Sequence, residues 1–324
     1  MFGFGKKKDE GRTVLVLDVE NGSVACALLR LTPGAQPKLF GERRVHLPLA
    51  MSRTGGGLAA SVEKALEQAL YEIAEVAGRL RNAAAGQAHK EELSAIGHVS
   101  QASIIMSPPW GKPNLESGRP DFLEDMTDSV SGAVGRSFGA VPVSFYTSAG
   151  AAAYGVRALF GTQPSLVCVV TGEMTELLGL DEAGVVAHAT MPHGSHALLR
   201  TLRSHGGYSE AEARSAARLP FDSKHLREPF GAAAEHAAHH FRDAARECVA
   251  PGQYSRIRVV GGDAAAEWFA RALSATDSLS ELFPKGEVRA LRSQHVSPFV
   301  AAHAAAPDTM LLLNALFIGG QSSL

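Results

Sequence analysis

One predicted helix in the C-terminal half of the chain is rich in residues that bind metals. It carries His236, His239 and His240, with Glu235 and Asp243 close by. Histidines three or four residues apart lie on the same side of a helix, and their imidazole nitrogens are good ligands for a divalent metal. No fourth ligand is apparent in the sequence. Because these residue types are mostly exposed in proteins, the pattern favours a solvated helix face over a metal site.

A serine lies beside histidine in the segment His193-Gly194-Ser195-His196. The serine hydrolases of α/β proteins place their nucleophile in a Gly-x-Ser-x-Gly turn between a strand and a helix, where the hydroxyl is exposed. This segment lacks that pattern. The sequence therefore argues against a hydrolase.

The composition is typical of a folded globular protein. The chain has 324 residues, of which 45% are hydrophobic and 20% charged, and this length corresponds to about two domains. With 31 basic and 33 acidic residues the formal net charge is -2, so no overall positive field favours nucleic acid as a partner. Cys26, Cys168 and Cys248 form no CxxC pair, which fits a reducing compartment and predicts a cytoplasmic location.

The sequence starts with Met1-Phe2-Gly3-Phe4-Gly5 and then Lys6-Lys7-Lys8. No long apolar segment accompanies these lysines, so a secretory signal is not expected. Residues 1–11 are predicted to form a flexible basic tail, and two roles stay open for it: peripheral contact with an anionic membrane, or solubilisation. Further along, the apolar stretch from Met310 to Ile318 is shorter than the roughly 20 residues needed to cross a bilayer.

Hydrophobic patterning predicts two similar three-stranded meanders, one in each half of the chain. The first covers residues 13–18, 23–31 and 38–47, and the second covers residues 166–170, 175–180 and 185–191. Further helices are predicted over residues 58–80, 122–138, 148–159, 195–202, 209–219, 231–248, 263–273 and 297–305, and single strands over 98–106, 141–146, 257–260 and 288–291. The repeat predicts an α/β protein built from two related units.

This order of elements resembles the actin-like ATPase superfamily, and within it the bacterial branch that holds the pilus-assembly protein PilM and the division protein FtsA. The motifs that carry the resemblance are the opening Met1 to Lys8, Leu17-Asp18 to Val24, Ser148 to Gly155, Met191-Pro192-His193-Gly194, Tyr208 to Glu212 and Val259-Val260-Gly261-Gly262. The resemblance implies an actin-like fold, a duplicated ribonuclease H-like architecture, with two lobes of mixed sheet and helices around a central cleft. It assigns residues 12–163 plus 295–324 to lobe I and residues 164–294 to lobe II.

The resemblance also implies a nucleotide site, in which two glycine-containing hairpin turns hold the phosphates of ATP and an acid holds magnesium through water. The resemblance assigns this magnesium-holding acid to Asp18. The nucleotide-binding positions that the resemblance assigns are Asp18, Asn21, Gly22, Ser23, Gly172, Glu173, Thr175, Gly194, Glu212, Gly261 and Gly262. The sequence departs from the family at Glu20, where a glycine is usual, and at Val169, where a second acid is usual. The pocket is therefore expected to be degenerate, with very slow hydrolysis or none.

The leading functional hypothesis is a cytoplasmic, actin-like scaffold resembling PilM, located at the inner face of the cell membrane. It would bind a PilN-like tail of an inner-membrane protein in pilus or secretion machinery, and self-association stays open. The alternatives are an active ATPase or small-molecule kinase of the same fold, and an FtsA-like division protein. The segment between Pro109 and Val141 is short compared with PilM and FtsA, and no lysine or arginine follows Arg292, which weakens the division alternative.

Overall fold

The computed structural model describes residues 11–49, 55–82, 90–219, 223–224, 226–250, 252–275, 282–283 and 286–321. Residues 1–10 of the predicted basic tail lie outside the described residues. The strands are β1 (Arg12–Val19), β2 (Ser23–Leu31), β3 (Lys38–His46), β4 (Val99–Met106), β5 (Gly111–Lys112), β6 (Asp121–Phe122), β7 (Val143–Thr147), β8 (Ser165–Val170), β9 (Thr175–Leu180), β10 (Val185–Met191), β11 (Arg256–Gly261), β12 (Glu287–Ala290) and β13 (Ala301–Ala302). The helices are α1 (Gly55–Arg81), α2 (Lys90–Gly97), α3 (Glu124–Phe138), α4 (Ser148–Phe160), α5 (Ser195–Gly206), α6 (Glu210–Ala216), α7 (Arg227–Cys248), α8 (Asp263–Ser274), α9 (Ser293–Val296) and α10 (Thr309–Gln321).

Two mixed sheets form the framework, and both start from a meander. The first has the order β13-β3-β2-β1-β4-β7 and the second has the order β10-β9-β8-β11-β12. In each, the three meander strands pair antiparallel, and the next strands add in parallel next to the first meander strand. The predicted α/β class, with two sheets built on the same plan, is confirmed.

The apolar side chains of the strands explain the layering of the molecule. Successive residues of a strand point to opposite faces of a sheet, and β1 and β2 are buried on both faces. Leu15 and Leu17 pack with α1 and α3 on one side, whereas Val14 and Val16 pack with α4 and α10 on the other. The second sheet contacts α4 and α10 through Val167 and other residues, and its opposite face packs with α5 to α8. Helices α4 and α10 therefore form a middle layer between the two sheets.

The prediction of a helix over residues 297–305 is wrong. Ala301 and Ala302 form β13, which pairs in parallel with Lys38 and Leu39 at the edge of β3. The alanines of this segment have high helix propensity, but the sheet edge supplies backbone partners: Ala301 N donates to Pro37 O at 2.9 Å. Tertiary pairing thus overrides local propensity here, and the last helix starts at Thr309 instead.

The apolar segment near Met310 belongs to α10, which is buried over most of its length. No helix in the described part of the chain has both the length and the apolar character to span a membrane.

The contact between α4 and α10 depends on a glycine. Gly155 is buried, and a β-carbon placed on it would overlap the Leu313 side chain of α10. Gly155→Ala should therefore lower the free energy of unfolding by about 1–3 kcal/mol, because strain in a packed core exceeds the roughly 1 kcal/mol gain in helix propensity. Chemical denaturation at constant protein concentration measures the effect.

Gly135→Ala in α3 is the matched control. This glycine is exposed, and outside the adjacent helix backbone no atom of the described residues lies within 4 Å of the β-carbon position, so this variant should be as stable as the parent or more stable. Equal stability of the two variants would contradict close packing between α4 and α10.

Candidate functional site in the cleft between the two sheets

A cleft of about 880 Å³ opens between the two halves of the molecule. Its floor is formed by the first hairpin turn, β3 and the start of α10, and its walls are formed by the second turn and by α5, α6 and α8. Much of the lining is charged: Glu20, Arg44, Arg214, Arg218, Glu267, Arg271, Arg292 and Asp308. This size is within the range usual for small-molecule sites.

The floor of the cleft contains one guanidinium among three carboxylates. Arg44 Nη2 lies 2.9 Å from Asp18 Oδ2, and Arg44 Nη1 lies 3.4 Å from Glu20 Oε1. Arg44 also pairs with both carboxylate oxygens of Asp308, at 2.5 Å from Nε and 3.0 Å from Nη2. A further hydrogen bond of 2.6 Å runs from Arg44 Nη1 to Ser23 Oγ. We call Asp18, Glu20, Arg44 and Asp308 the Arg44 cluster.

Strand register explains how Arg44 reaches Asp18. Asp18 is paired with Ala25 of β2, and Ala25 is paired with Arg44 of β3. The two charged residues therefore lie in one row across the meander, about 10 Å apart at the backbone. The small side chain of Ala25 leaves space for the long arginine side chain to pass over it. Asp308 reaches the same place because it caps α10, accepting from the backbone N–H groups of Met310 and Leu311.

Burial, and then a surplus of negative charge, shifts the pKa values of this cluster. Burial raises the pKa of Glu20 from 4.5 to about 8, and the negative charge of Asp18 adds to the effect. Burial also raises the pKa of Asp18, although Arg44 opposes this. Burial acts on Asp308 too, but its close pairing with Arg44 keeps the pKa of Asp308 below the usual value. Near neutral pH a substantial fraction of Glu20 therefore holds a proton, and protonated Glu20 can donate a hydrogen bond to Asp18.

The two hairpin turns touch each other at their glycines. A β-carbon on Gly22 would overlap Gly172 Cα, and one on Gly172 would overlap Gly22 Cα. This close approach of two backbones is the physical reason for glycine at both positions. The turns therefore leave no space for a phosphate chain between Gly22 and Gly172.

Asn21 bonds the two turns together. Its side chain is fully buried, and Oδ1 accepts from Glu173 N at 2.6 Å and from Thr171 Oγ1 at 3.1 Å. Its Nδ2 donates to Pro108 O at 2.8 Å in the loop after β4. An N–H group of the second turn that could otherwise bind an anion thus already has a protein partner.

Backbone N–H groups at the start of α5 also have hydrogen-bond partners within the protein. Ser195 N donates to Thr171 O at 2.9 Å, and His196 N donates to Gly172 O at 2.7 Å. The side chain of Glu173 accepts from Arg200 and contacts His196 Nδ1 at 2.9 Å. Burial opposes ionisation of Glu173, but these two partners lower its pKa to about 2. Glu173 is therefore an ion-pair partner of α5 and not a titrating acid near neutral pH.

The remaining predicted site residues lie in several places. Thr175 Oγ1 donates to His193 O at 2.7 Å, and Gly194 packs against the carbonyls of the second turn. Gly261 packs against Val170 O, whereas Gly262 lines the cleft and has open space at its β-carbon position. Glu212 is exposed and forms a capping box with Ser209: Ser209 N donates to Glu212 Oε2 at 2.8 Å.

The cleft wall thus includes Gly22, Ser23, Gly172 and Gly262 of the predicted set. The other predicted residues lie behind the wall or outside the cleft, and Asp18 is fully buried beneath Arg44. Arg44 and Asp308 were not among the sequence candidates. The alternation of β3 could have indicated Arg44, but Asp308 precedes a helix far away in the sequence and no local signal connects it to Asp18.

These contacts do not fit magnesium and ATP held in the way that the resemblance implies. A guanidinium occupies the space beside Asp18, where a hydrated cation would have to bind. The turns are closed against each other, and donors of the second turn and of α5 are already used. In this conformation the cleft can accept a small molecule only outside the two turns.

The high pKa of Glu20 predicts a specific pH dependence of stability. An acid whose pKa is raised by folding binds more protons in the folded state, so stability falls as pH rises from about 4.5 to about 8. Glu20→Gln imitates the protonated form at every pH. The melting temperature of the variant relative to the parent should therefore increase between pH 5 and pH 9.

Glu116→Gln, at an exposed position in the loop between β5 and β6, is the control. Its melting temperature should follow that of the parent across the same pH series. A difference between Glu20→Gln and the parent that does not change with pH would contradict a raised pKa at Glu20.

Comparison with known proteins relates the fold to solved structures. No protein-family model and no curated protein matches the chain. The chain is similar to the structure of a PilM–PilN type IV pilus biogenesis complex, with a TM-score of 0.58 and 15% identity over 94% of this chain and 98% of that one. It is also similar to the ethanolamine utilization protein EutJ from Carboxydothermus hydrogenoformans, with a TM-score of 0.54 and 14% identity over 95% of this chain and 89% of that one.

At these identities the likeness establishes the fold and not the activity. Both similarities extend over nearly the whole chain. They agree with the two sheets beside the cleft, each of which consists of a meander followed by parallel strands. The protein therefore has the actin-like ATPase fold.

Proposed function

We propose that this protein is an actin-like scaffold of the PilM kind, which binds a segment of an inner-membrane protein and has lost nucleotide turnover. It would act in the cytoplasm at the inner face of the membrane, as part of pilus or secretion machinery. The main support for a loss of nucleotide turnover is the position of Arg44, whose guanidinium lies 2.9 Å from Asp18. The likeness to the PilM–PilN complex, which covers 94% of this chain, supports the choice of scaffold class.

The charge of Arg44 argues against a catalytic magnesium ion. Asp18 is the acid to which the resemblance assigns that ion, and its Oδ2 oxygen already interacts with Arg44. Magnesium requires an octahedral shell of oxygens and usually keeps several waters. A second cation beside the guanidinium would be repelled, so magnesium would have to displace Arg44 from Asp18.

The residue at the position that the resemblance assigns to the second acid supports the same conclusion. Val169, at the position that the resemblance assigns to that acid, is fully buried in β8. An attacking water would therefore lack a carboxylate to orient it from this strand, and each tenfold loss of rate corresponds to about 1.4 kcal/mol of transition-state stabilisation. Nucleotide binding without hydrolysis, in the outer cleft beside Gly262, is the form of ATP binding compatible with this arrangement.

We expect the purified protein to show no magnesium-dependent ATP hydrolysis above background. Replacing Arg44 by alanine together with Glu20→Gln removes the guanidinium and one of its three carboxylate partners, and it should strengthen magnesium-dependent nucleotide binding by about tenfold or more. Asp18→Ala should weaken whatever binding the parent has. Calorimetric titration with a non-hydrolysable ATP analogue, with and without magnesium, measures these differences.

Arg43→Ala is the matched control, because Arg43 is adjacent on β3 but pairs with Glu72 on the surface. It should bind nucleotide as the parent does, and thermal melts verify that each variant is folded. Brisk magnesium-dependent hydrolysis that Asp18→Ala abolishes would contradict the proposal, and it would favour an active ATPase or kinase.

The partner can be tested with the full chain as bait on detergent-solubilised inner membranes of the encoding bacterium. We expect capture of an integral membrane protein that has a cytoplasmic segment, and a synthetic peptide of that segment should bind the purified chain directly. Recovery of soluble metabolic enzymes alone would argue against a scaffold function.

A bait with Lys6→Ala, Lys7→Ala and Lys8→Ala distinguishes protein recognition from attraction to lipid. If the folded body binds the partner, this variant should retain the same protein, since only nonspecific attraction to anionic lipid depends on the three lysines. Loss of capture with the lysine variant would contradict recognition by the folded body.

A further inference from the structure

Three histidines from two distant segments meet on the second half of the molecule, away from the Arg44 cluster. His193 lies between β10 and α5, and His236 and His240 lie one turn apart on α7. One imidazole nitrogen from each residue lies within 4.8 Å of the corresponding atoms of the other two. We call these three residues the histidine cluster.

The spacing on α7 is that of a metal-binding pair. His236 Nε2 and His240 Nε2 are 3.2 Å apart. In a tetrahedral zinc site, Zn–N distances of 2.0–2.1 Å separate two ligand nitrogens by about 3.3 Å. The two rings thus already have the separation that a bound ion requires, and His193 needs only a small displacement to join them.

The burial of His193 is a second observation that points to a ligand. The residue is only 1% exposed, and its Nε2 atom is buried without a hydrogen-bond partner among the described residues. Leaving a buried polar atom unsatisfied is costly. The backbone of His193 is held by Thr175, whose Oγ1 donates to His193 O at 2.7 Å, and its ring packs against the edge of Phe269. The ring is therefore held in place next to the rings of His236 and His240, with centroid distances of 5.1 and 5.4 Å, and one of its nitrogens has no partner among the described residues.

The chemistry of the cluster determines which ion fits. Three neutral imidazoles suit zinc and similar transition metals, whereas magnesium and calcium require oxygen ligands. Asp243 on α7 is paired with His239 at 3.3 Å. His193 is buried, His240 is half-buried and His236 is exposed, so a fourth coordination position on the outer side is open to water.

We propose that His193, His236 and His240 bind one zinc ion through three imidazole nitrogens, with water as the fourth ligand. The ion would connect α7 to the start of α5. Because Ser195 N and His196 N at that start donate to the second hairpin turn, the metal would also support the turn that faces Gly22. This site is independent of nucleotide and of the membrane partner.

The test uses the full chain without a histidine tag, titrated with zinc in competition with a chromophoric chelator. We expect one zinc per chain, bound at about micromolar concentration or tighter, and an increase in melting temperature on binding. His236→Asn and His240→Asn should each weaken binding by about 100-fold or more, since loss of a direct ligand exceeds the roughly 10–100-fold cost of losing an outer-shell partner.

His239→Asn is the matched control on the same helix and should leave zinc affinity within about threefold of the parent. His193→Asn should weaken binding as strongly as the α7 variants. If His193→Asn does not fold, the parent is loaded with cobalt instead of zinc. Its visible spectrum should then have the intensity typical of tetrahedral coordination. Absence of saturable 1:1 binding, equal losses in His239→Asn and His240→Asn, or parent-like affinity of folded His193→Asn would overturn the proposal.

Discussion

The charge balance around Arg44 is the constraint on which the arrangement of the cleft depends. One guanidinium faces the carboxylates of Asp18, Glu20 and Asp308, and in a buried place such a surplus is tolerated only with close pairing and a retained proton. Asp308 also caps α10. The same cation therefore connects the first meander to the helix that separates the two sheets, and its loss would loosen the floor of the cleft and the middle layer together.

The two hairpin turns are also held by contacts within the protein. Gly22 and Gly172 permit the two backbones to come into contact. The side chain of Asn21 accepts hydrogen bonds from Glu173 N and Thr171 Oγ1 of the second turn. Glycine and backbone N–H groups are the elements with which proteins bind phosphate, but here they join one half of the molecule to the other. A turn with glycine and exposed N–H groups can bind an anion, and the same features allow it to pack against another turn.

The second half of the molecule has a separate polar cluster whose chemistry differs from that of the cleft. The Arg44 cluster combines a fixed cation with oxygen ligands, and this excludes a further cation. The histidine cluster consists of imidazole nitrogens, and Asp243 of the same helix pairs with His239 instead, so the cluster suits a softer cation. Thr175 and the second turn hold the β10–α5 segment that carries His193.

Local patterns in the sequence determined the meanders and the amphipathic helices, because periodicity acts between near neighbours in the chain. They failed for residues 297–305, where pairing with β3 outweighs the helix propensity of alanine. Only the tertiary structure decided the surroundings of Asp18: strand register brings Arg44 from 26 residues away, and α10 brings Asp308 from beyond the second sheet. His193 likewise supplies the third histidine that no spacing on α7 could reveal. The types of residue were evident from the sequence, but contacts between distant segments decided which charges and ligands meet.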